Sequence, residues 1–357
     1  AQVTNLVVNG VGTNFTMTSG DPISWSYNVP AGSATLLEIW LDLNANGVID
    51  PASDKSLFAF VQTDGDTNGF GGPPDQDGLV NGAVVFSEPV GLPAQHYVMR
   101  FTNNGLSASI AGTINPLPSP AFTVSGHVTP PAGKSAQYIL VEANRSNGGT
   151  PNFWDGITDA SGNYTIQMNS DTAGNPWRIS IQSQFPPNLP APAETLVVID
   201  GTITGINFGF TAAAAQVAGF LKDENGVPLG DRDVSVSDNF GAYFGARTNL
   251  AGFFQVGLPL SALTGQTWML MSSIQGFYTT TQMQARLNLP VINPTDSVDR
   301  NLTVYAANST ITGTVLLNGV PMAFPFYVVA YTDSQLATTG SAPGTGVFTL
   351  GVSNKFA

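Results

Sequence analysis

A long repeat limits what this chain can fold into. One glycine inside an apolar run recurs at Gly126, Gly219 and Gly313, 93 and 94 residues apart, and a second glycine recurs at Gly162, Gly252 and Gly346. Two residues past each second glycine stands an aromatic that leads an alternating run: Tyr164, Ile166, Met168; Phe254, Val256, Leu258; Phe348, Leu350, Val352. A period of two places such residues on one side of a strand, so each copy supplies strands with one buried face. Two copies also share a turn, Asn225-Gly226-Val227-Pro228 and Asn318-Gly319-Val320-Pro321. Asn-Gly provides the positive φ that a tight hairpin needs.

The runs VAGFLKDENGVPL and TNLAGFFQVGL, and more loosely VSGHVTP and TDASGNYTIQM, resemble carboxypeptidase regulatory-like, prealbumin-type modules. The resemblance covers about two thirds of the chain. It implies tandem sandwiches similar in fold to immunoglobulin domains, and a role as spacer, stalk or adhesive unit; fold alone does not establish activity.

The expected architecture is therefore all-β, a series of Ig-like or prealbumin-like β-sandwiches in an extended rod. Residues 1–121 form an N-terminal sandwich outside the repeat, 122–215 a first repeat, 216–309 a second and 310–357 an incomplete third. In the first of these, strands are expected over Ile23 to Tyr27, Leu36 to Leu41, Leu57 to Val61, Ala83 to Phe86 and Tyr97 to Thr102, between Gly, Pro and Asn-rich turns. The Pro-rich run Ile114 to Ala121 is the connector. Trp177 and Trp268, 15 and 16 residues past the second glycine, read as core anchors.

Composition narrows the function classes. Charged residues make up 10% of the chain and the formal charge is -13, so Asn, Ser, Thr, Gln and Gly must build most of the surface, as in extracellular proteins. With only four lysines there is no basic patch for nucleic acid or an anionic membrane, and cations are the natural partners. Cysteine is absent, which removes disulfides and thiolate chemistry. No apolar run is long enough for a membrane helix. A start at Ala1-Gln2 suits a mature end left by signal-peptide removal, and a cloned boundary would look the same.

The strongest chemical motif is Asp42-Leu43-Asn44-Ala45-Asn46-Gly47-Val48-Ile49-Asp50, followed by Asp54. Oxygen side chains at positions 1, 3, 5 and 9, a glycine at 6 and the Val48 carbonyl at 7 suit Ca2+. The motif resembles dockerin and thrombospondin type 3 loops, although Ser53 occupies the place of the bidentate Glu and Asp54 is the nearest substitute. A second acidic loop follows: Asp64, Asp66 and Asn68 repeat the 1, 3, 5 spacing, and Asp75 and Asp77 approach from beyond a Gly-Pro turn. For both loops the other reading is a plain turn in which Asx side chains cap their own backbone.

Catalysis finds little support. Only His96 and His127 are present, in different domains, and no HExxH, GxSxG or P-loop pattern occurs. Surface sandwiches of the collagen-adhesin B type join first and last strands through Lys-Asn isopeptide bonds, and Lys222 with Asn301 resembles such a pair. Thr129 and Leu316 take the place of Lys222 in the sibling copies.

By the spacing of its siblings, the last copy should have its Trp strand near residue 361 and its closing strand near 396, past Ala357. Strands such as Tyr327 to Ala330 and Phe348 to Val352 would then show open edges, to be covered by more of the same chain or by another copy. Strand donation is the mechanism this suggests. The run Gln2 to Val8 is a candidate donor; it also reads as the first strand of its own domain. Two functions compete. One is an extracellular fibre or surface-appendage subunit that self-associates into a homopolymer. The other is an adhesin or carbohydrate-binding accessory region, meeting polysaccharide or a cell-surface ligand through Phe153-Trp154 and Phe240 to Phe244.

Overall fold

A computed structural model describes residues 3–67, 72–130, 133–145, 151–169, 176–181, 192–230, 232–238, 243–249, 251–263, 267–273, 284–305, 308–321, 327–331, 335–340 and 347–353. Among these residues helix is confined to one 3-10 turn, Leu260–Ala262, and the rest is strand and loop. The chain is all-β. It divides into two compact units, one containing residues 1–59 and 80–186, the other residues 60–79 and 213–357.

The N-terminal sandwich pairs a three-stranded sheet, in the order Thr4–Val8, Pro22–Asn28, Ala83–Pro89, with a five-stranded one, in the order Phe15–Thr18, Leu106–Asn115, His96–Asn103, Ala34–Leu41, Lys55–Thr63. Alternation in Pro22–Asn28 sends Ile23, Trp25 and Tyr27 inward. Trp25 stacks on Phe86 of its own sheet at 4.2 Å and meets Phe101 of the facing sheet at 6.2 Å; Tyr27 meets Phe101 at 5.3 Å. Such aromatic contacts add to the area they bury. On the strand Ala34–Leu41, Glu38 is buried and takes two hydrogen bonds from Arg100 directly opposite, Nε to Oε2 at 2.6 Å and Nη2 to Oε1 at 2.7 Å.

The next sandwich joins the four-stranded sheet Phe153–Ile157, Leu140–Asn144, Pro176–Ile181, Thr195–Val198 to a three-stranded one, Asn163–Met168, Phe122–Thr129, Phe208–Gly209. The second-glycine turns are built alike in both repeats. Asp159 Oδ1 accepts the amides of Ser161 and Asn163, and Asn249 Oδ1 those of Ala251 and Phe253. Gly162 and Gly252 have φ of 85° and 75°, a conformation other residues adopt only with strain.

In the third sandwich Ala215–Asp223 lies between Phe253–Leu258 and the short strands Ser297–Asp299 and Leu302–Val304, which run parallel to it. Its facing sheet has six strands: Tyr243–Arg247, Asp233–Asp238, Trp268–Ser273, Gln284–Leu289, Gln335–Gly340, Tyr327–Tyr331. The last two belong to the final repeat. They join the sheet where Gln284 and Ala285 pair with Leu336 and Gln335. The rest of that repeat is the strand pair Ser309–Thr314 with Val347–Val352 and the hairpin Leu316–Leu317 with Val320–Pro321. Of the final repeat, Gln335–Gly340 thus lies against the preceding repeat, and Tyr327–Tyr331 pairs with it from the outside.

The shared Asn-Gly turn takes two forms. Asn318 and Gly319 both have positive φ and make a two-residue hairpin. In the earlier copy Asp223 Oδ1 caps the amides of Asn225 and Val227, and only Gly226 turns left-handed. The last repeat has one residue fewer before Asn-Gly and no aspartate, so its turn closes on φ alone.

Trp154 has 0% of its surface exposed. A Cβ added at Gly20 would lie 2.7 Å from its ring, and one at Gly91 would lie 2.7 Å from its Cα. The amide of Asp155 donates to the Gly91 carbonyl at 2.8 Å. Trp154 therefore fixes the second sandwich to the first through glycines that leave it room. Trp154→Ala is expected to cost about 3–5 kcal/mol, read as a lower chemical-denaturation midpoint; a loss under about 1 kcal/mol would contradict that role.

Candidate functional site

The first acidic loop lies between Ala34–Leu41 and Lys55–Thr63 and is organised by two buried carboxylates. Asp42 Oδ1 and Oδ2 accept the amides of Asn46 at 3.1 Å and Gly47 at 2.7 Å. Asp54 Oδ1 and Oδ2 accept those of Leu43 at 3.1 Å and Asp50 at 2.7 Å. Asn44, Asn46 and Asp50 are exposed, and each caps the amide two residues on, at Asn46, Val48 and Ala52. The Val48 side chain is exposed as well. The Asx-turn geometry is thus fully formed. Asp42 and Asp54 draw the two ends of the loop together, and among the described residues no three His, Cys, Asp or Glu side chains gather as a metal cluster. Both carboxylates retain lone pairs beyond their amide bonds, so they are the groups here with the chemistry for a hard cation.

In the second loop Asp64 and Asp75 are buried. Asp75 Oδ2 accepts the Gly65 amide at 2.8 Å, and its own amide donates to the Asp66 carbonyl at 2.7 Å. This ties the far arm of the loop to the Asp64–Asp66 turn. Asp77 is exposed and caps the Leu79 amide. Asn68 lies outside the described residues.

His96 Nδ1 lies 3.1 Å from Thr113 Oγ1, and His127 Nδ1 lies 3.2 Å from Asn163 Oδ1. The structure does not bring the two together. Of the aromatics considered as a ligand surface, Trp154 is wholly buried, Phe244 packs against Trp268, and residues 240–242 lie outside the described set. Lys222 Nζ sits over the Phe220 ring, while Asn301 Oδ1 accepts the Phe220 amide at 2.9 Å. The two are engaged with different partners.

The Asn301 bond belongs to a device that sequence reasoning missed. A Cβ at Gly219 would run into the carbonyl oxygen of Arg300, the residue before Asn301. The other repeat does the same: a Cβ at Gly126 would run into the Ile206 carbonyl, and the amide of His127 donates to Asn207 Oδ1 at 2.9 Å. A closing strand thus crosses directly above the glycine, and the next asparagine locks it there. The signal in the sequence was the distance from donor amide to asparagine, 80 residues in one copy and 81 in the other.

One buried acid stands outside these features. Asp155, opposite Glu142 on the neighbouring strand, is buried, and among the described residues neither carboxylate oxygen has a hydrogen-bond partner. Burial, and after it the charge of Glu142, push its carboxyl well above the ordinary carboxylate range. The folded state then holds the proton more tightly than the unfolded chain. Its contribution is fully present below the unfolded value, about 4, and is lost as pH rises through the folded one. Asp155→Asn is expected to melt at a higher temperature than the wild type at about pH 8, the gap closing toward pH 5. An equal or lower midpoint at the alkaline end would contradict this.

No family model matches the chain, and no curated protein does. Among solved structures, the Bacillus anthracis TIE protein is 10% identical, with 97% of this chain and 67% of that one covered, at a TM-score of 0.22. A streptococcal ancillary pilin is 11% identical over 77% of this chain and 94% of its own, also at 0.22. BcpA, the major pilin subunit of Bacillus cereus, is 9% identical over 59% and 70%, at 0.18.

Proposed function

We propose that the chain is an extracellular structural protein, a fibre or surface-appendage subunit whose tandem sandwiches associate head-to-tail by strand complementation. The observation that carries this reading is the six-stranded sheet in which Gln335–Gly340 of the last repeat is added to Gln284–Leu289 of the one before. This chain links successive repeats by backbone hydrogen bonds between strands, and the same chemistry joins separate molecules when an exposed edge accepts a strand. Contacts of that kind do not close on themselves, so they generate filaments. The exposed valines and leucines of the final repeat, Leu316, Leu317, Val320 and Val347, suit an assembling surface better than a free one. The carboxypeptidase regulatory-like resemblance and export through a signal peptide belong to the same reading.

Negative-stain microscopy of the purified chain tests it: ordered filaments are the expected result. Dispersed monomers that bind a polysaccharide would reject it in favour of the adhesin reading.

Calcium is the proposed ligand of the first sandwich. Its support is the pair of buried carboxylates, Asp42 and Asp54, whose charge is met only by neutral amides in the hydrogen bonds described above. A cation there would rigidify the loop and supply no chemistry. Binding at a hundredfold excess over Kd adds about 2.7 kcal/mol to stability. Millimolar Ca2+ is therefore expected to raise the melting midpoint, a chelator to reverse the shift and Asp42→Asn to abolish it. A midpoint indifferent to calcium in the wild type would remove the cation from this loop.

A further inference from the structure

Where the second sandwich meets the first, a buried acid stands in the contact itself. Phe153–Ile157 is the outer strand of its sheet, and its outer side receives Gly91 of the first sandwich, through a parallel bridge to Trp154 and the bond from the Asp155 amide to the Gly91 carbonyl at 2.8 Å. Trp154 fills the notch that Gly20 and Gly91 leave. Asp155, the next residue, points to the opposite face of the strand and is 4% exposed. Tyr97 lies across the contact, in the strand His96–Asn103 of the first sandwich. It is buried, and its hydroxyl donates to the Pro93 carbonyl at 2.7 Å. Burial, and after it the charge of Asp155, hold the Tyr97 proton well above the ordinary phenol range, so the carboxyl of the second sandwich is felt inside the first.

The groups around this carboxyl are few. From the paired strand Leu140–Asn144 comes Glu142, directly opposite, and from the first sandwich comes Tyr97. On Asn163–Met168 of the facing sheet the titratable group is Tyr164, whose hydroxyl donates to the Ile206 carbonyl at 2.7 Å. Arg178, two strands away, pairs with Glu194 at 3.0 Å, and Arg145 lies over the Trp177 ring. Among the described residues no cation pairs with Asp155, and neither of its oxygens has a donor. A neutral carboxyl fits such a site. A charged one, beside Glu142, lacks every partner that would offset its loss of water.

We propose that Asp155 makes the contact between the first two sandwiches a proton-operated joint, closed while its carboxyl is protonated and opened when the carboxyl ionises. Opening is the shortest route to water. Each sandwich keeps a core of its own, Trp25, Phe86 and Phe101 in one and Val124, Ile166 and Trp177 in the other, and residues 116–121 keep the two tethered. Parting them breaks the bond between Asp155 and Gly91 and separates Trp154 from its glycines, a local event short of unfolding. In the closed joint ionisation is opposed by burial and then by Glu142, whereas an opened joint returns the carboxyl to its ordinary value of about 4. Closure is thus fully favoured below about pH 4 and is lost as pH rises to the closed-state value, the opened fraction growing about tenfold per pH unit between the two. The second repeat lacks the device: Ser235, 93 residues past Glu142, has Gly245 opposite it, so neither acid is present there.

Hydrogen exchange of the full chain, corrected for its intrinsic pH dependence, reads the joint at one amide. That of Asp155 is expected to exchange about tenfold faster per pH unit above about pH 5 until the closed-state value is passed, with Val124 and Ile166 unchanged and the rise absent in Asp155→Asn. Spin labels give the accompanying motion. The sequence has no cysteine, so Thr16→Cys in the first sandwich and Thr165→Cys in the second, both exposed, take one label each. Their distance distribution should be narrow at pH 5 and broader at pH 9, and narrow at both in Asp155→Asn. A flat exchange profile at Asp155 would overturn the proposal, as would a distribution equally narrow at both pH values or a broadening that Asp155→Asn shares. Faster exchange that includes Val124 and Ile166 would overturn it too, since Asp155 would then govern the stability of the whole sandwich and not the joint. The wild-type measurements decide the matter by themselves should Asp155→Asn fail to fold.

Discussion

The repeats depend on a contact between two backbones that no side chain can share. Where the Ile206 carbonyl crosses Gly126 and the Arg300 carbonyl crosses Gly219, one extra carbon atom would collide with the oxygen. The closing strand can therefore lie parallel to the opening strand and keep its hydrogen bonds on both sides of the crossing only because a hydrogen stands where other residues carry Cβ. Asn207 and Asn301 complete the arrangement by accepting the amide that the crossing would otherwise leave unpaired, at 2.9 Å in each case. Packing follows from there. Phe208 in one copy, and Leu302 and Val304 in the other, are delivered to the core by the strand so held.

Much of this architecture was legible in the residues and some was not. Alternation announced Pro22–Asn28, Asn163–Met168 and Phe253–Leu258, because one face of each meets a core and the other does not. Phe15–Thr18 and Thr195–Val198 are four residues long, and the pattern of Thr195–Val198 is intermediate and exposed, so periodicity had little to act on. Gln284–Leu289 went unread for a different reason: its partner Gln335–Gly340 comes from another repeat, and that pairing is a tertiary fact. Trp177 and Trp268 are buried, as their place in the repeat suggested. From its sequence Trp154 reads as a ligand-facing aromatic, since nothing local says that Gly20 and Gly91 leave it space in the interior. In a chain rich in asparagine, the two that clamp strands look like the rest until their long-range spacing is compared.

The acidic loops show how far a motif specifies geometry. Oxygen side chains at alternate positions are what a hard cation requires, and they are also what a tight turn uses to satisfy its own amides. In Asp42–Asp54 the second use is complete down to individual oxygens, and the buried carboxylates draw the loop ends together. The same local chemistry shapes the Asp159 and Asn249 turns, where no metal motif exists. The amides of Asn163, Ser161 and Gly162 hold Asp159 below its ordinary pKa, the reverse of what burial does to Asp155.

The sheet that runs from Tyr243–Arg247 to Tyr327–Tyr331 has a consequence for how such a chain diversifies. The period marked by the glycines and the block of residues that folds together are offset from each other. A recombination event that swapped in a whole period at residue 310 would carry away Gln335–Gly340 and leave Gln284–Leu289 with a bare flank.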